Sequence, residues 1–356
     1  MRNLVAGLCK NQDITILSYD PPSDVSYNIE QITLPQLKSS YWRIAPLQHA
    51  WHYRNVIRAM ALPQFDVLLA MDCHLGFAVA SIRAQHRVYI SLSCVPRQEW
   101  FGSNQRSLLI FAQYAFLERL LIRRSDLTIV ASDSQRGEIQ RFELLPKFNP
   151  MILPPAFPAL EGENIKGAYE EKSQNSDVVT FLTVCRLVPV KRVDRILAIA
   201  DRLRGLNCRF TIVGDGPQLE TLRRHAELLN VDQFVNFVGG TSQPETFFRQ
   251  ADFLLHPSNY ESFGMVVFEA MRHGVIPLCS KSDGLNIGIA AFMNNGVNGM
   301  LVNFNDVDAT VSTIQQLLGN SDQRKRLRQG ARQLAKDLMG QNYVQKLSIA
   351  LNLKVA

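Results

Sequence analysis

At 356 residues, with 46% hydrophobic and 20% charged side chains, the chain has a globular composition and more length than one core usually takes, so two domains are expected. The formal net charge of +6 is dispersed, with no basic stripe interleaved with aromatics, which argues against nucleic-acid binding, and no run approaches the ~20 apolar residues of a membrane span. Six scattered cysteines (Cys9, Cys73, Cys94, Cys185, Cys208, Cys279) form no CxxC pair and have no histidine at metal-ligand spacing, which argues against a disulfide framework or zinc site and fits a reducing cytoplasm.

The chain opens with Met1–Cys9, which reads as the tail of a helix, and its Leu4–Cys9 run is too short for a secretory segment. A Rossmann domain starts with a strand running into a glycine loop, so that strand and loop are expected to be missing here. Short apolar runs then alternate with helical periodicity, the pattern of βα units on a parallel sheet. Strands are predicted at Ile14–Tyr19, Asp66–Met71, Val88–Ser93, Leu127–Ser132 and Met151–Pro154, and helices at Leu47–Ala61, Phe77–Ala84 and Ser107–Arg124. The last of these mixes apolar residues with Arg119, Arg123 and Arg124, a pattern that suits packing on the sheet at least as well as resting on an anionic membrane. Residues 1–155 therefore form a first domain, and 156–177, which lose periodicity and gain Pro, Gly and charge, form a linker.

A second and cleaner series fills residues 178–335. Strands are predicted at Val179–Val184, Phe210–Val213, Val235–Val238, Phe253–His256, Ile276–Cys279 and Met300–Val302, separated by helical patterns, as in a doubly wound sheet. Asp306 and Asp308 precede a helix and are better explained by an N-cap than by a metal-binding DxD. The basic run Arg324–Arg328 reads as a solvated helix face, and residues 336–356 as a terminal helix that packs back on the first domain.

Three stretches carry chemistry. Arg186 and Lys191 follow a strand, at the rim where parallel sheets bind ligands, and two cations there suit a diphosphate; taken alone, such a pair is more often solvent-exposed. Gly214-Asp215-Gly216-Pro217 follows the next strand, its glycines permitting close backbone approach and its proline suited to the first helical position; a simple tight turn is the competing reading. His256-Pro257-Ser258 ends a strand, Glu261 lies in the loop beyond it, and a helix starting near Phe263-Gly264 presents its unpaired N–H groups and positive dipole end, an anion site. Glu269 sits on that helix, apolar on nearly all sides, within ~12 Å of Glu261 if the spacing is helical. Two carboxylates so placed bracket a diphosphate; a helix-capping acid and a core acid paired with arginine is the alternative.

Arg186 with Lys191, Gly214–Pro217, Val235–Gly239, Ala251-Asp252, Pro257-Ser258, Glu261–Met271, Gly274 and Gly296–Val302, in this order over roughly 140 residues, resemble the donor domain of family 4 retaining glycosyltransferases. Glu261 and Glu269 match that family's E-x7-E motif. The resemblance implies the GT-B fold, two Rossmann-like domains facing a cleft, and transfer of a hexose-type unit from a nucleotide diphosphate donor to a hydroxyl with retention. It implies that Arg186 and Lys191 neutralise the diphosphate and leaving group, that Glu261 holds the transferred sugar and that Glu269 binds the ribose. The N–H groups of Phe263, Gly264 and Met265, with Gly214 and Gly216, complete the donor cradle. No metal or other cofactor is implied. The setting the family implies is cell-surface polysaccharide or lipopolysaccharide synthesis at the inner face of the membrane, on a sugar or lipid-linked acceptor.

The amino half departs from that pattern. Val88–Trp100 is similar to a family segment in which histidine often stands at the place of Ser93, and His74, after Asp72, reads as a loop residue that faces the cleft only as the second choice. With the missing strand and loop, this leaves a rival reading, a truncated or degenerate homologue that binds nucleotide or a partner without transferring sugar. A sugar-nucleotide epimerase is disfavoured by the order of the motifs.

Overall fold

The computed structural model describes residues 15–18, 30–33, 46–71, 73–91, 108–142, 145–154, 178–261, 263–281, 287–290, 292–339 and 343–351. These fall into two compact units, one drawn from within 1–97, 107–159 and 339–356 and the other from within 160–338. The Met1–Cys9 helix tail, the missing first strand and loop, the linker at 156–177, and Asp72 and Ser93 all lie outside the described residues, as does the side chain of His74.

In the first unit, β1 (Thr15–Ser18) and β2 (Glu30–Thr33) pair in parallel. After α1 (Pro46–Ala59) come β3 (Phe65–Ala70), α2 (Cys73–Val79), β4 (Ala84–Ser91), α3 (Leu108–Arg124), β5 (Leu127–Val130), α4 (Asp133–Phe142) and β6 (Met151–Ile152). Strands β3 to β6 form a parallel sheet in chain order. Alternation along β4 serves both faces: Tyr89 joins Tyr53, Ile57, Leu121 and Val130, while Val88 and Ile90 join Ile129 and Leu153. This second face is covered by Leu347 and Leu351, from and just beyond the terminal helix Tyr343–Ala350. The helix predicted at Phe77–Ala84 is corrected to Cys73–Val79, because Ala84 is already paired with Phe65 in the sheet.

The second unit runs β7 (Val179–Val184), a 3-10 turn (Pro189–Lys191), α5 (Asp194–Leu203), β8 (Cys208–Val213), α6 (Leu219–Leu228), β9 (Val235–Gly239), α7 (Glu245–Gln250), β10 (Phe253–His256), α8 (Met265–Arg272), β11 (Ile276–Ser280), α9 (Ile287–Ala290), β12 (Met300–Val302), α10 (Val307–Gly319) and α11 (Ser321–Met339). Its six strands are parallel in the order β12-β11-β10-β7-β8-β9, the doubly wound arrangement, and chain order reverses between β7 and β10. Phe181 of β7 stacks on Phe210 of β8 at 4.8 Å and on Phe253 of β10 at 5.4 Å, so the reversal is bound at its centre by three buried rings. The carboxyl ends of β7 and β10 therefore open side by side, and the loops leaving them define the candidate site.

Candidate functional site

Three loops are laced together at this edge. After β7, the N–H groups of Cys185 and Leu187 donate to the carbonyls of Val213 and Asp215 at 3.0 and 2.9 Å, and Gln218 returns a bond to Leu187 at 3.1 Å. That bond holds Gln218 out of the helix, so α6 starts at Leu219 and not, as expected, at Pro217. The glycines make the approach possible: a Cβ on Gly214, at φ +141°, would lie 1.8 Å from the Cys185 oxygen, and one on Gly216 2.5 Å from that of Leu187. Their own N–H groups are spent locally, Gly214 on the Gly239 carbonyl and Gly216 on Asp215. The third loop, beyond β10, is tied in by the Asn259 N–H, which donates to Val190 at 2.8 Å, and by Arg195 of α5, which donates to the Pro257 carbonyl at 2.9 Å.

This lacing brings Lys191 to Glu261. The ammonium lies 2.6 Å from Oε2, with the two side chains 20% and 15% exposed. Nε2 of His256 also approaches this oxygen, at 3.2 Å and 2% exposed, but without the alignment of a well-formed hydrogen bond. Burial alone would raise the Glu261 carboxyl; contact with His256 and the charge of Lys191 overcome it and hold the group far below the ordinary carboxylate range. Burial pushes the His256 imidazole down, against the pull of Glu261, and Lys191 adds to the depression. Arg186 is exposed and, among the described residues, has no carboxylate partner.

Four residues past Glu261, α8 begins. Its N-cap, Gly264, is left-handed at φ 84° and ψ 46°, and no side chain caps the helix. Among the described residues the N–H groups of Gly264 and Met265 find no acceptor, leaving the donors and positive end of the helix without a partner there. A side chain at Gly264 would meet Ile289 at 2.8 Å. Phe263 points inward, its ring 5.3 Å from that of Phe292. Glu269 lies one turn beyond Met265 on the same face, half-buried rather than fully buried as its apolar neighbours implied. No described residue pairs with it; burial raises its carboxyl, Glu245 adds to this and Arg272 opposes it. The core ion pair weighed as an alternative is absent among the described residues.

The remaining assignments resolve simply. Asp306 is the N-cap of α10, accepting the Ala309 N–H at 3.0 Å. The basic run is not wholly a solvated face: Lys325 and Arg326 are exposed, but Arg324 donates to the Leu317 and Leu318 carbonyls at the end of α10, and Arg328 pairs with Asp252 at 2.9 Å. Among the described residues no three His, Cys, Asp or Glu side chains gather as a metal site, and no helix is long and apolar enough to cross a membrane.

Two polar clusters went unread in the sequence. One is His256 with Arg195, each the polar exception in an otherwise apolar pattern. The other lies at the carboxyl end of β4 and β5 in the first unit, where buried Glu118 of α3 accepts from Tyr89 at 3.0 Å and Ser91 at 2.9 Å, and Gln135 donates to the Ser91 carbonyl at 2.6 Å. Burial and the nearby Glu118 push the Tyr89 phenol well above its ordinary value.

Comparison with known proteins agrees with this geometry. Residues 167–334 match the family model described as glycosyl transferases group 1. A lipopolysaccharide core biosynthesis glycosyltransferase of Rhizobium meliloti is 26% identical over 152 residues, 43% of either chain. D-inositol 3-phosphate glycosyltransferase of Mycolicibacterium smegmatis is 32% identical over 149 residues, 40% of this chain and 32% of that one. The chain thus spans less than half the length of these curated relatives. Among solved structures, WaaG, a glycosyltransferase involved in lipopolysaccharide biosynthesis, superposes with a TM-score of 0.72 at 18% identity, covering 99% of this chain and 94% of the other. Sucrose-phosphate synthase from Thermosynechococcus elongatus gives 0.75 at 17%, covering 99% and 91%. These likenesses establish the fold, two Rossmann-like parallel-sheet domains of the GT-B kind.

Proposed function

We propose, from the match of residues 167–334 to the glycosyl transferases group 1 model, that the chain transfers a hexose-type sugar from a nucleotide diphosphate donor to a hydroxyl acceptor, with retention at the anomeric carbon. The observation that carries this reading is an exposed Arg186, without a carboxylate partner among the described residues, just past β7 beside an α8 with no side-chain cap just past β10, on the two sides of the strand-order reversal. Arg186 and the start of α8 place positive charge at that edge with no carboxylate on either among the described residues, which suits a diphosphate. Arg186 and Lys191 then take the charge that develops on the departing phosphate, a role that needs no metal. The N–H groups at Phe263, Gly264 and Met265 cradle donor oxygens, Glu261 holds the transferred sugar, and Glu269 accepts from the ribose hydroxyls. Gly214 and Gly216 keep their loop pressed onto the β7 loop, which sets where Arg186 emerges.

We place the acceptor in cell-surface polysaccharide or lipopolysaccharide synthesis, as a sugar or lipid-linked sugar met at the cytoplasmic face of the membrane. Support comes from the lipopolysaccharide relatives and from α3, which exposes Leu108 (69%), Leu109 (70%) and Phe116 alongside Arg123 and Arg124. The test is calorimetry and thermal shift against a panel of uridine and guanosine diphosphate sugars. Binding by at least one, lost in Arg186→Ala, is expected; stabilisation by none refutes the donor assignment. Sedimentation with anionic vesicles checks the membrane contact separately.

A further inference from the structure

Oε2 of Glu261 has two cationic or potentially cationic neighbours, Lys191 at 2.6 Å and His256 at 3.2 Å. Only the lysine makes a formed bond. Nε2 of His256 is sealed from solvent, within reach of the carboxylate but without a formed hydrogen bond, an arrangement that costs free energy. Yet a diphosphate arriving at this edge competes for the Lys191 ammonium. A largely buried carboxylate stripped of its cation is worse still, by several kcal/mol in typical cases.

We propose that His256 is a positioning residue, the reserve partner of Glu261: when an anionic ligand draws Lys191 away, the imidazole takes a proton, closes its hydrogen bond and keeps the carboxylate in place. This rests on the donor reading above and extends it, since binding then consumes a proton. The titratable and charged groups around His256 among the described residues are few. Lys191 comes from the turn after β7 and Glu261 from the loop after β10. Cys185 follows β7, and Cys279 of β11 is the register neighbour of His256. Arg195 reaches in from α5 to the Pro257 carbonyl. Burial pushes the Cys185 thiol to about 12 and Cys279 well above its usual value, so both stay neutral and neither supplies the acceptor for the proton. Burial holds the His256 imidazole low and Lys191 adds to this, so the departure of Lys191 leaves the pull of Glu261 unopposed by that charge and raises the imidazole.

Two measurements decide the matter. The first needs no ligand: the imidazole of His256 is titrated by NMR, assigned by its absence in His256→Asn, in the wild type, in Lys191→Met and in Lys191→Arg. Lys191→Met should raise the titration midpoint measurably, and Lys191→Arg should leave it near the wild-type position. The second is calorimetry with UDP-glucose and GDP-mannose, whose phosphates do not ionise near neutrality, in buffers of different ionisation enthalpy at pH 6.5. The wild type should take up protons and bind up to about tenfold tighter for each unit that pH falls; His256→Asn should bind with no proton uptake and a flat pH profile. An unchanged titration in Lys191→Met, or proton uptake that persists in His256→Asn, overturns the proposal. Failure of every nucleotide sugar to bind sinks the donor reading instead, and the titration still decides the role of His256.

Discussion

Replacing Gly214 by alanine tests the construction of the site most directly. The added Cβ would stand 1.8 Å from the Cys185 carbonyl oxygen, a backbone atom that no rotamer change can move aside, and an ordinary carbon–oxygen contact needs roughly 1.5 Å more. The loop must therefore separate from β7, putting at risk the Gly214 bond to Gly239 (2.8 Å) and the Cys185 bond to Val213 (3.0 Å), each worth about 1 kcal/mol. Holding alanine at φ +141° adds about 1–3 kcal/mol. The expected loss is about 3–5 kcal/mol, a fall of roughly 6–20 °C in the melting of this unit. Two neighbours grade the effect. Gly239→Ala meets nothing within 4 Å but has φ +86°, so only the strain of about 1 kcal/mol applies; Gly240→Ala has its nearest atom at 3.6 Å and should be close to neutral. Urea and thermal unfolding of the three variants give the comparison, and nucleotide-sugar affinity should fall with Gly214→Ala because the displaced β8 loop no longer braces the β7 loop that carries Arg186. If Gly214→Ala melts with Gly240→Ala, the lacing of the β7 and β8 loops does not position the site.

Arg186→Ala removes an exposed side chain with no carboxylate partner among the described residues, so stability should change by no more than about 0.5 kcal/mol while turnover falls on the order of a hundredfold; equal turnover in transfer assays dismisses its role at the leaving group. Glu269 has its carboxyl raised by burial, so it destabilises the fold at neutral pH and ceases to do so as pH falls and it protonates. Glu269→Gln should accordingly stabilise the protein at pH 7 by about 0.5–1 kcal/mol and weaken nucleotide-sugar binding, and a variant that loses stability at pH 7 contradicts the unpaired carboxylate. Asp306→Ala should cost about 1 kcal/mol, measured by unfolding, through the lost cap on the Ala309 N–H, whereas Asp308→Ala breaks only an exposed pair with Arg202 and should cost well under 1 kcal/mol; equal effects on transfer activity and none on stability would return the two acids to a catalytic reading.

What was legible beforehand follows from which physical signals repeat. The six strands of the second unit stand out as short, largely apolar runs between helical patterns, since the central strands of a parallel sheet, such as β10 and β11, are buried on both faces. The first unit hid more. Helix α4 has little apolar periodicity and is announced instead by its start, Ser132 accepting the Gln135 N–H and Gln135 returning a bond to the Ala131 N–H, a local signal easily passed over beside β5. The site shows the same division. Arg186, Lys191, Glu261 and Glu269 are named by spacing, because a charge beyond a strand end or on an apolar helix is conspicuous. Their pairing is not, because it depends on a bond between Asn259 and Val190 made by chain segments 69 residues apart.

His256 illustrates why such residues escape. A histidine closing the run Phe253-Leu254-Leu255 has an environment that looks apolar from its neighbours in sequence, and the groups that give it meaning, Lys191 and Glu261, arrive from other loops. Arg195 is the same case on α5, a buried guanidinium whose acceptors, the Pro257 carbonyl and Asn305, come from elsewhere in the chain. Glu118 repeats it on α3. A polar side chain inside an apolar periodic element has either a distant partner or a ligand, since burial with neither is too costly to persist. For Arg195 and Glu118 the partners are present within the fold. At Nε2 of His256 the partner is in reach but the bond is not made, which is why the departure of Lys191, rather than the ligand-free fold, supplies the reason for a histidine there.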